Sequence, residues 1–175
     1  MNKKLSELDK KCLALAIDIS RRTYKAGNFP VGAVLVIDDK IIDTAGNERR
    51  KQGSRAAHAE NSLIIKNGGT ILRAHKQNKI IKLYSALEPC IQCLGTSVMN
   101  RVSEIFFIQK DPIGGACDLA HNNIGLWYRE AWPEIHYCPL SDEPKKLLAE
   151  FFREEIKNGN TAKWYKKCYN YYSKN

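Results

Sequence analysis

The sequence predicts an α/β fold in one domain, with a layered sheet joined by crossover helices. Three observations predict it. Between residues 31 and 109, short β-rich runs alternate with stretches of helical spacing. The 175 residues are a usual size for one domain, long enough to bury about two thirds of the surface of the unfolded chain. No repeat, low-complexity tract or long linker divides the chain.

The elements follow in order. Residues 5–24 place Leu5, Leu8, Cys12, Leu15, Ala16 and Ile19 on one helical face, with Ser6 as cap and Gly27 as stop. Runs 31–37 and 41–45, split by Asp38-Asp39-Lys40, read as an antiparallel hairpin. After a basic loop at 48–55, residues 56–66 read as a helix that ends at Gly68-Gly69. Residues 82–87 are strand-like, 90–100 helix-like and 104–109 strand-like again. Segment 111–133 reads mostly as loop and 136–138 as a short edge strand. Leu147, Leu148, Phe151 and Phe152 give 144–157 helical spacing, and 164–172 extends as another helix.

Composition narrows the function classes. With 43% hydrophobic and 27% charged residues the chain is neither disordered nor fibrous. Its apolar runs fall far short of the roughly 18 residues that cross a bilayer, and its polar N-terminus lacks a secretory core, so no membrane contact and a cytoplasmic location are expected. Six cysteines with one C-x-x-C pair do not make a disulfide framework. The net charge of +9 is terminal: residues 1–25 carry +4, 144–175 carry +5, and the rest balances. A basic surface attracts phosphates, and a solvated basic helix is the plainer reading.

The chemistry lies in two short runs. His58-Ala59-Glu60 opens one predicted helix, and Pro89-Cys90-Ile91-Gln92-Cys93 opens another after a strand. Imidazole and thiolate are zinc ligands, and two cysteines three positions apart at a helix start reach one ion. His58, Cys90 and Cys93 would hold Zn2+, one ion per chain, and leave a fourth position in which water can lose a proton near neutral pH. The helix N-terminus favours the thiolates. Glu60 would stand beside that water without ligating it, placed for general acid/base work. Two other readings stay open: a buried His/Cys set with no metal, and a structural zinc closed by His75, His121, His136 or Cys117.

H-x-E with P-C-x-x-C is the signature of zinc-dependent deaminases. With FPVGAVLV at 29–36, Gly46-Asn47, AHAE at 57–60, LEPC at 87–90, Asp111 and Gly114-Gly115-Ala116, residues 5–119 resemble the cytidine deaminase-like superfamily. Its branch containing bacterial tRNA wobble-adenosine deaminases and guanine deaminases is the most similar. The resemblance implies a three-layer α/β/α fold around a five-stranded mixed sheet, and a homodimer. It also implies hydrolytic deamination of a nucleobase, nucleoside or tRNA substrate. Carried over residue by residue, it makes Asn47 a partner of the base or sugar, sets Phe29, Pro30 and Val31 beside the base, and brings the Ala59 and Cys90 amides to the reacting centre. The plainer readings are a turn for Asn47 and core for Phe29.

The domain is expected at 1–157, with 158–175 as a basic aromatic tail of the same domain. Residues 147–157 resemble the C-terminal helix with which tRNA-acting members grip RNA, which offers Phe152, Arg153, Lys163 and Tyr165 as RNA contacts. Adenosine in tRNA is therefore the leading substrate; free guanine, cytosine or a nucleoside is the alternative, and an inactive binding subunit the third. Three departures favour the alternatives: Ala86 where the branch has Thr, Asn61 after HAE, and an aromatic segment at 120–133 with Trp127, Tyr128 and Trp132. That segment could be a lid, surface packing or a dimer interface.

Overall fold

The computed structural model describes residues 4–174. Its elements run α1 (Glu7–Lys25), β1 (Gly32–Ile37), β2 (Lys40–Gly46), α2 (Arg49–Gln52), α3 (Ala59–Lys66), α4 (Gly68–Lys76), β3 (Ile81–Leu87), α5 (Ile91–Met99), β4 (Glu104–Gln109), α6 (Leu126–Glu130), β5 (Glu134–Tyr137), α7 (Glu143–Lys157) and α8 (Lys163–Ser173). Five strands form one mixed sheet in the order β2-β1-β3-β4-β5. β1 pairs antiparallel with both β2 and β3, whereas β3, β4 and β5 run parallel. Helices cover both faces, so the α/β/α layering and five-stranded mixed sheet are as expected.

Local chemistry explains the boundaries. Ser6 and Asp9 form a capping box at α1, each side chain accepting from the other's backbone N–H. Asp38 and Asp39 both take positive φ, the backbone that a tight β1–β2 turn with right-handed twist requires. As expected, α3 stops at Lys66 before the glycine pair at 68–69, but that pair opens a further helix, α4, that the spacing did not indicate. Asn67 turns the chain there, its Nδ2 donating to Leu63 O and to Asp43. The basic loop contains the single turn α2, and segment 111–133 contains the short α6.

The sheet separates two cores. One face packs α1 against Val34, Val36, Tyr84, Ala86 and Phe106. The other packs Leu35, Leu83 and Ile105 with α3, α4, α5, α7 and α8. Period-two alternation therefore sends Tyr84 and Ala86 toward α1 and Ser85 toward the opposite face. Ala86 is a departure from the branch pattern on the face away from the site.

A polar anchor holds α1 to the sheet. The buried Tyr84 hydroxyl donates to Asp9 Oδ1 at 2.6 Å, and Ser6 N donates to Oδ2 at 2.8 Å. Burial by itself would raise the Asp9 carboxyl, yet these hydrogen bonds outweigh it and hold the group below its ordinary value. A depressed folded pKa contributes stability above the unfolded pKa, and that contribution is lost as pH falls through the folded value. Tyr84→Phe is expected to cost about 1–3 kcal/mol at neutral pH, because Asp9 Oδ1 stays buried with its donor gone. Thermal denaturation between pH 7 and 3 should show this deficit shrinking as Asp9 protonates.

Candidate active site

The site forms where β3 ends and β1 begins, at the N-termini of two helices. His58 is the N-cap of α3 and Cys90 the N-cap of α5, both with extended backbone and neither capping its helix with its side chain. Both side chains are thus free to face one another, and Cys93, one turn into α5, joins them. His58 Nδ1 lies 3.4 Å from each sulfur, and the sulfurs are 3.7 Å apart.

These distances are those of a zinc tetrahedron. With sulfur at about 2.3 Å and nitrogen at about 2.0–2.1 Å from the ion, its edges are about 3.8 Å for S···S and about 3.5 Å for S···N. Among the described residues the cluster contains three ligand atoms, all within 4.8 Å of one another. The candidates for a fourth ligand lie elsewhere. His75 is exposed on α4, His121 stacks on Trp132, His136 faces Glu104, and Cys117 is buried with its N–H donating to Glu88.

Electrostatics favour a cation. Cys90 is lowered to about 4 by its bond to Cys93 and then by His58, while Cys93 is pushed above the usual thiol range by that same bond and by burial. Zinc binds thiolates and neutral imidazole, so affinity falls with falling pH. Glu60, 3% exposed, accepts from Ser85 Oγ at 2.8 Å through Oε1, and its Oε2 is 3.5 Å from Cys93 Sγ. Burial raises its pKa, and the Ser85 bond opposes that rise. The carboxylate is thus held beside the cluster, in a neutral-leaning environment.

A cavity of about 70 Å³ opens over these groups. Phe29, Val31, Asn47, His58, Glu60 and Cys90 line it, joined by Arg49, Leu87, Glu88 and Asp111. Pro30 and Ala59 are buried and do not line it, so their side chains support the wall rather than form it. Asn47, 3% exposed, combines both readings: Oδ1 accepts from Arg49 N at 3.1 Å, as in an Asx turn, and Nδ2 makes no hydrogen bond among the described residues. The departure Asn61 faces the chain before α3, its Nδ2 donating to Ala56 O at 3.2 Å.

Two contributors carried no assigned role in the sequence. Ser85 is a polar residue in an otherwise apolar strand, and its alternation with Tyr84 was the available signal. Glu88 accepts from Asp111 N and Cys117 N, both at 3.0 Å, which folds the 111–117 loop against the site. Gly115 is required there, since a Cβ would meet Glu88 Cδ and Asp111 O at 2.5 Å. The aromatic segment is not over the cavity: Ile124, Tyr128 and Trp132 face Leu94, Val98 and Met99 of α5 instead. The lid reading gives way to packing behind the metal helix.

Residues 6–109 match the family described as cytidine and deoxycytidylate deaminase zinc-binding region. The chain belongs to this deaminase family. It is a zinc-dependent hydrolytic deaminase, and the His58/Cys90/Cys93 set fits its metal. The tRNA-specific adenosine deaminase of Bacillus subtilis is 33% identical over 148 residues, 85% of this chain and 91% of its own. That of Aquifex aeolicus is also 33% identical, over 81% of this chain and 92% of its own. A solved tRNA:A34 deaminase, from work on A-to-I editing at the wobble position of transfer RNA, superposes with a TM-score of 0.61 at 26% identity, covering 74% of this chain and 98% of that one. The guanine deaminase of Bacillus subtilis superposes with a TM-score of 0.51 at 27% identity, over 61% and 66%.

Of the four residues offered as RNA contacts, Phe152 is corrected. Its ring is 2% exposed, lies edge-on to Phe29, Trp164 and Tyr165, and stacks on Tyr172. Its helical spacing from Leu148 puts it on the buried stripe of α7, where it ties α8 to the site residue Phe29. Arg153 and Lys163 are exposed, and Tyr165 is half-buried.

Proposed function

We propose that this deaminase converts adenosine in tRNA to inosine. The length of the match carries the reading: the tRNA-specific adenosine deaminases of Bacillus subtilis and Aquifex aeolicus align over about nine tenths of their own chains, whereas the cytosine deaminase of Candida albicans aligns over 59% of its own. The cavity agrees with it. At about 70 Å³ it is small against the roughly 300–1,000 Å³ of pockets that bury drug-sized ligands, so it takes the base and leaves the rest of the substrate outside.

Each residue then has a task. Phe29, Val31 and Leu87 wall the ring and exclude bulk water, and Asn47 Nδ2 orients its polar edge. Zinc, when bound, supplies the Lewis acid that lets water ionise near neutral pH. Glu60 takes one proton from the attacking water and gives it to the ring nitrogen, then carries the remaining hydroxyl proton to the leaving amine. A C–O bond forms at the ring carbon, the C–NH2 bond breaks, and ammonia leaves.

The same reading treats 1–157 as the deaminase domain and 158–175 as its C-terminal extension, with Arg153, Lys163 and Tyr165 toward RNA. It makes the enzyme cytoplasmic, in keeping with six free thiols, and a homodimer. Outward apolar side chains on the helix layer, Ile65 at 74% exposure with Leu72, Ile91 and Met99, support that assembly. No described helix is long and apolar enough to cross a membrane.

Ammonia release from an anticodon stem-loop RNA, run beside free bases, nucleosides and nucleotides, tests the substrate. The RNA is expected to turn over at the highest kcat/KM; turnover confined to free guanine or cytosine would overturn the reading.

A further inference from the structure

Away from the catalytic cluster, a second group of metal-ligating side chains converges: Glu104, Glu134 and His136, whose ligand atoms all lie within 4.8 Å of one another. We propose that these three residues form a second metal site, for zinc or a similar divalent transition ion, that ties the edge strand β5 to β4.

The strand register builds it. β4 and β5 run parallel, with Glu104 opposite Glu134 and Phe106 opposite His136. Side chains two apart along a strand share a face, so both carboxylates and the imidazole stand on the face where Phe106 packs with α1. Glu104 and Glu134 are the first residues of their strands, whereas the catalytic metal helix follows the last residue of the parallel strand β3. The two groups therefore sit at opposite ends of the sheet, and none of the three residues lines the catalytic cavity.

Two observations point to a cation. His136 Nε2 lies 2.9 Å from Glu104 Oε2 and 3.6 Å from Glu134 Oε2. With nitrogen and oxygen at about 2.0–2.2 Å from zinc, those edges correspond to angles at the ion of roughly 90° and 120°. The register also sets two carboxylates directly opposite each other, an arrangement that repels until positive charge lies between them. A divalent ion neutralises both and leaves His136 as a neutral ligand. The ring is already oriented, because the fully buried Phe106 packs on it with centroids 4.5 Å apart. An imidazole beside two carboxylates favours zinc and its neighbours over calcium or magnesium.

Equilibrium dialysis of the purified, untagged full chain against added zinc tests the site, with metal counted per chain and Tm followed in parallel. Three ligands without a thiolate, with Glu134 74% exposed, hold zinc more weakly than the catalytic set. Wild type should therefore carry one zinc as purified and take up a second as free zinc rises, with Tm climbing over the same range. Calcium and magnesium should not compete. Glu104→Gln and Glu134→Gln should each weaken the second uptake at least about 10-fold, and His136→Ala should abolish it. The first zinc and the deaminase activity should stay those of wild type in all three. Glu134 is exposed, so its variant keeps the test decisive should His136→Ala fold poorly. A wild type that stays at one zinc per chain in excess metal overturns the proposal, as does a second uptake that both glutamine variants leave unchanged.

Discussion

Glu60→Gln is expected to lower kcat by about 10²- to 10⁴-fold while zinc content stays that of the wild type. The substitution keeps the side chain's shape and its capacity to accept from Ser85 Oγ, so the buried position at the start of α3 remains filled. What it removes is a group able to take a proton from water and hand it on. Activity assays beside metal analysis of the same preparation separate this from loss of the site: activity falls, zinc does not. Retained activity would contradict the proton-transfer role of Glu60.

Cys93→Ala acts on the metal itself. It leaves His58 Nδ1 and Cys90 Sγ, 3.4 Å apart, as the remaining protein ligands. Two ligands hold zinc poorly, and binding energy that contributes to the folded state is lost with the third. The expected result is zinc falling toward zero after dialysis against a chelator, no measurable deamination, and a lower Tm in the presence of added zinc than the wild type. Full zinc occupancy and activity in this variant would require a different ligand set. Cys117→Ala supplies the control, because that thiol lies outside the cluster and its backbone N–H, not its sulfur, holds Glu88.

Much of the fold was legible because its signals are local. Hydrophobic spacing set α1, β1, β3, α5 and β4 to within a residue or two, and α7 followed from Leu148 and Phe152. The stop of α3 at Lys66 was legible, but α4 was not, because a glycine pair reads as a break even where it begins a helix once Asn67 has made the turn. The metal set was readable because both halves sit at helix starts, and helix starts are marked by strand ends and by proline. Ser85 and Glu88 were harder. Each acts on a partner far along the chain, Glu60 and the 111–117 loop, and sequence spacing carries no information about such contacts. Phe152 shows the converse: an aromatic in a basic tail reads as an RNA platform, yet its ring is the centre of an aromatic cluster that joins Phe29 to α8.

The central claim is a zinc ion held by one imidazole and two thiolates, with its remaining position left to solvent. Zinc-edge X-ray absorption on the purified protein measures that shell directly. The expected spectrum fits two sulfurs at about 2.3 Å and two nitrogen or oxygen atoms at about 2.0–2.1 Å. A shell of three or four sulfurs, or a protein that carries no zinc, would contradict it.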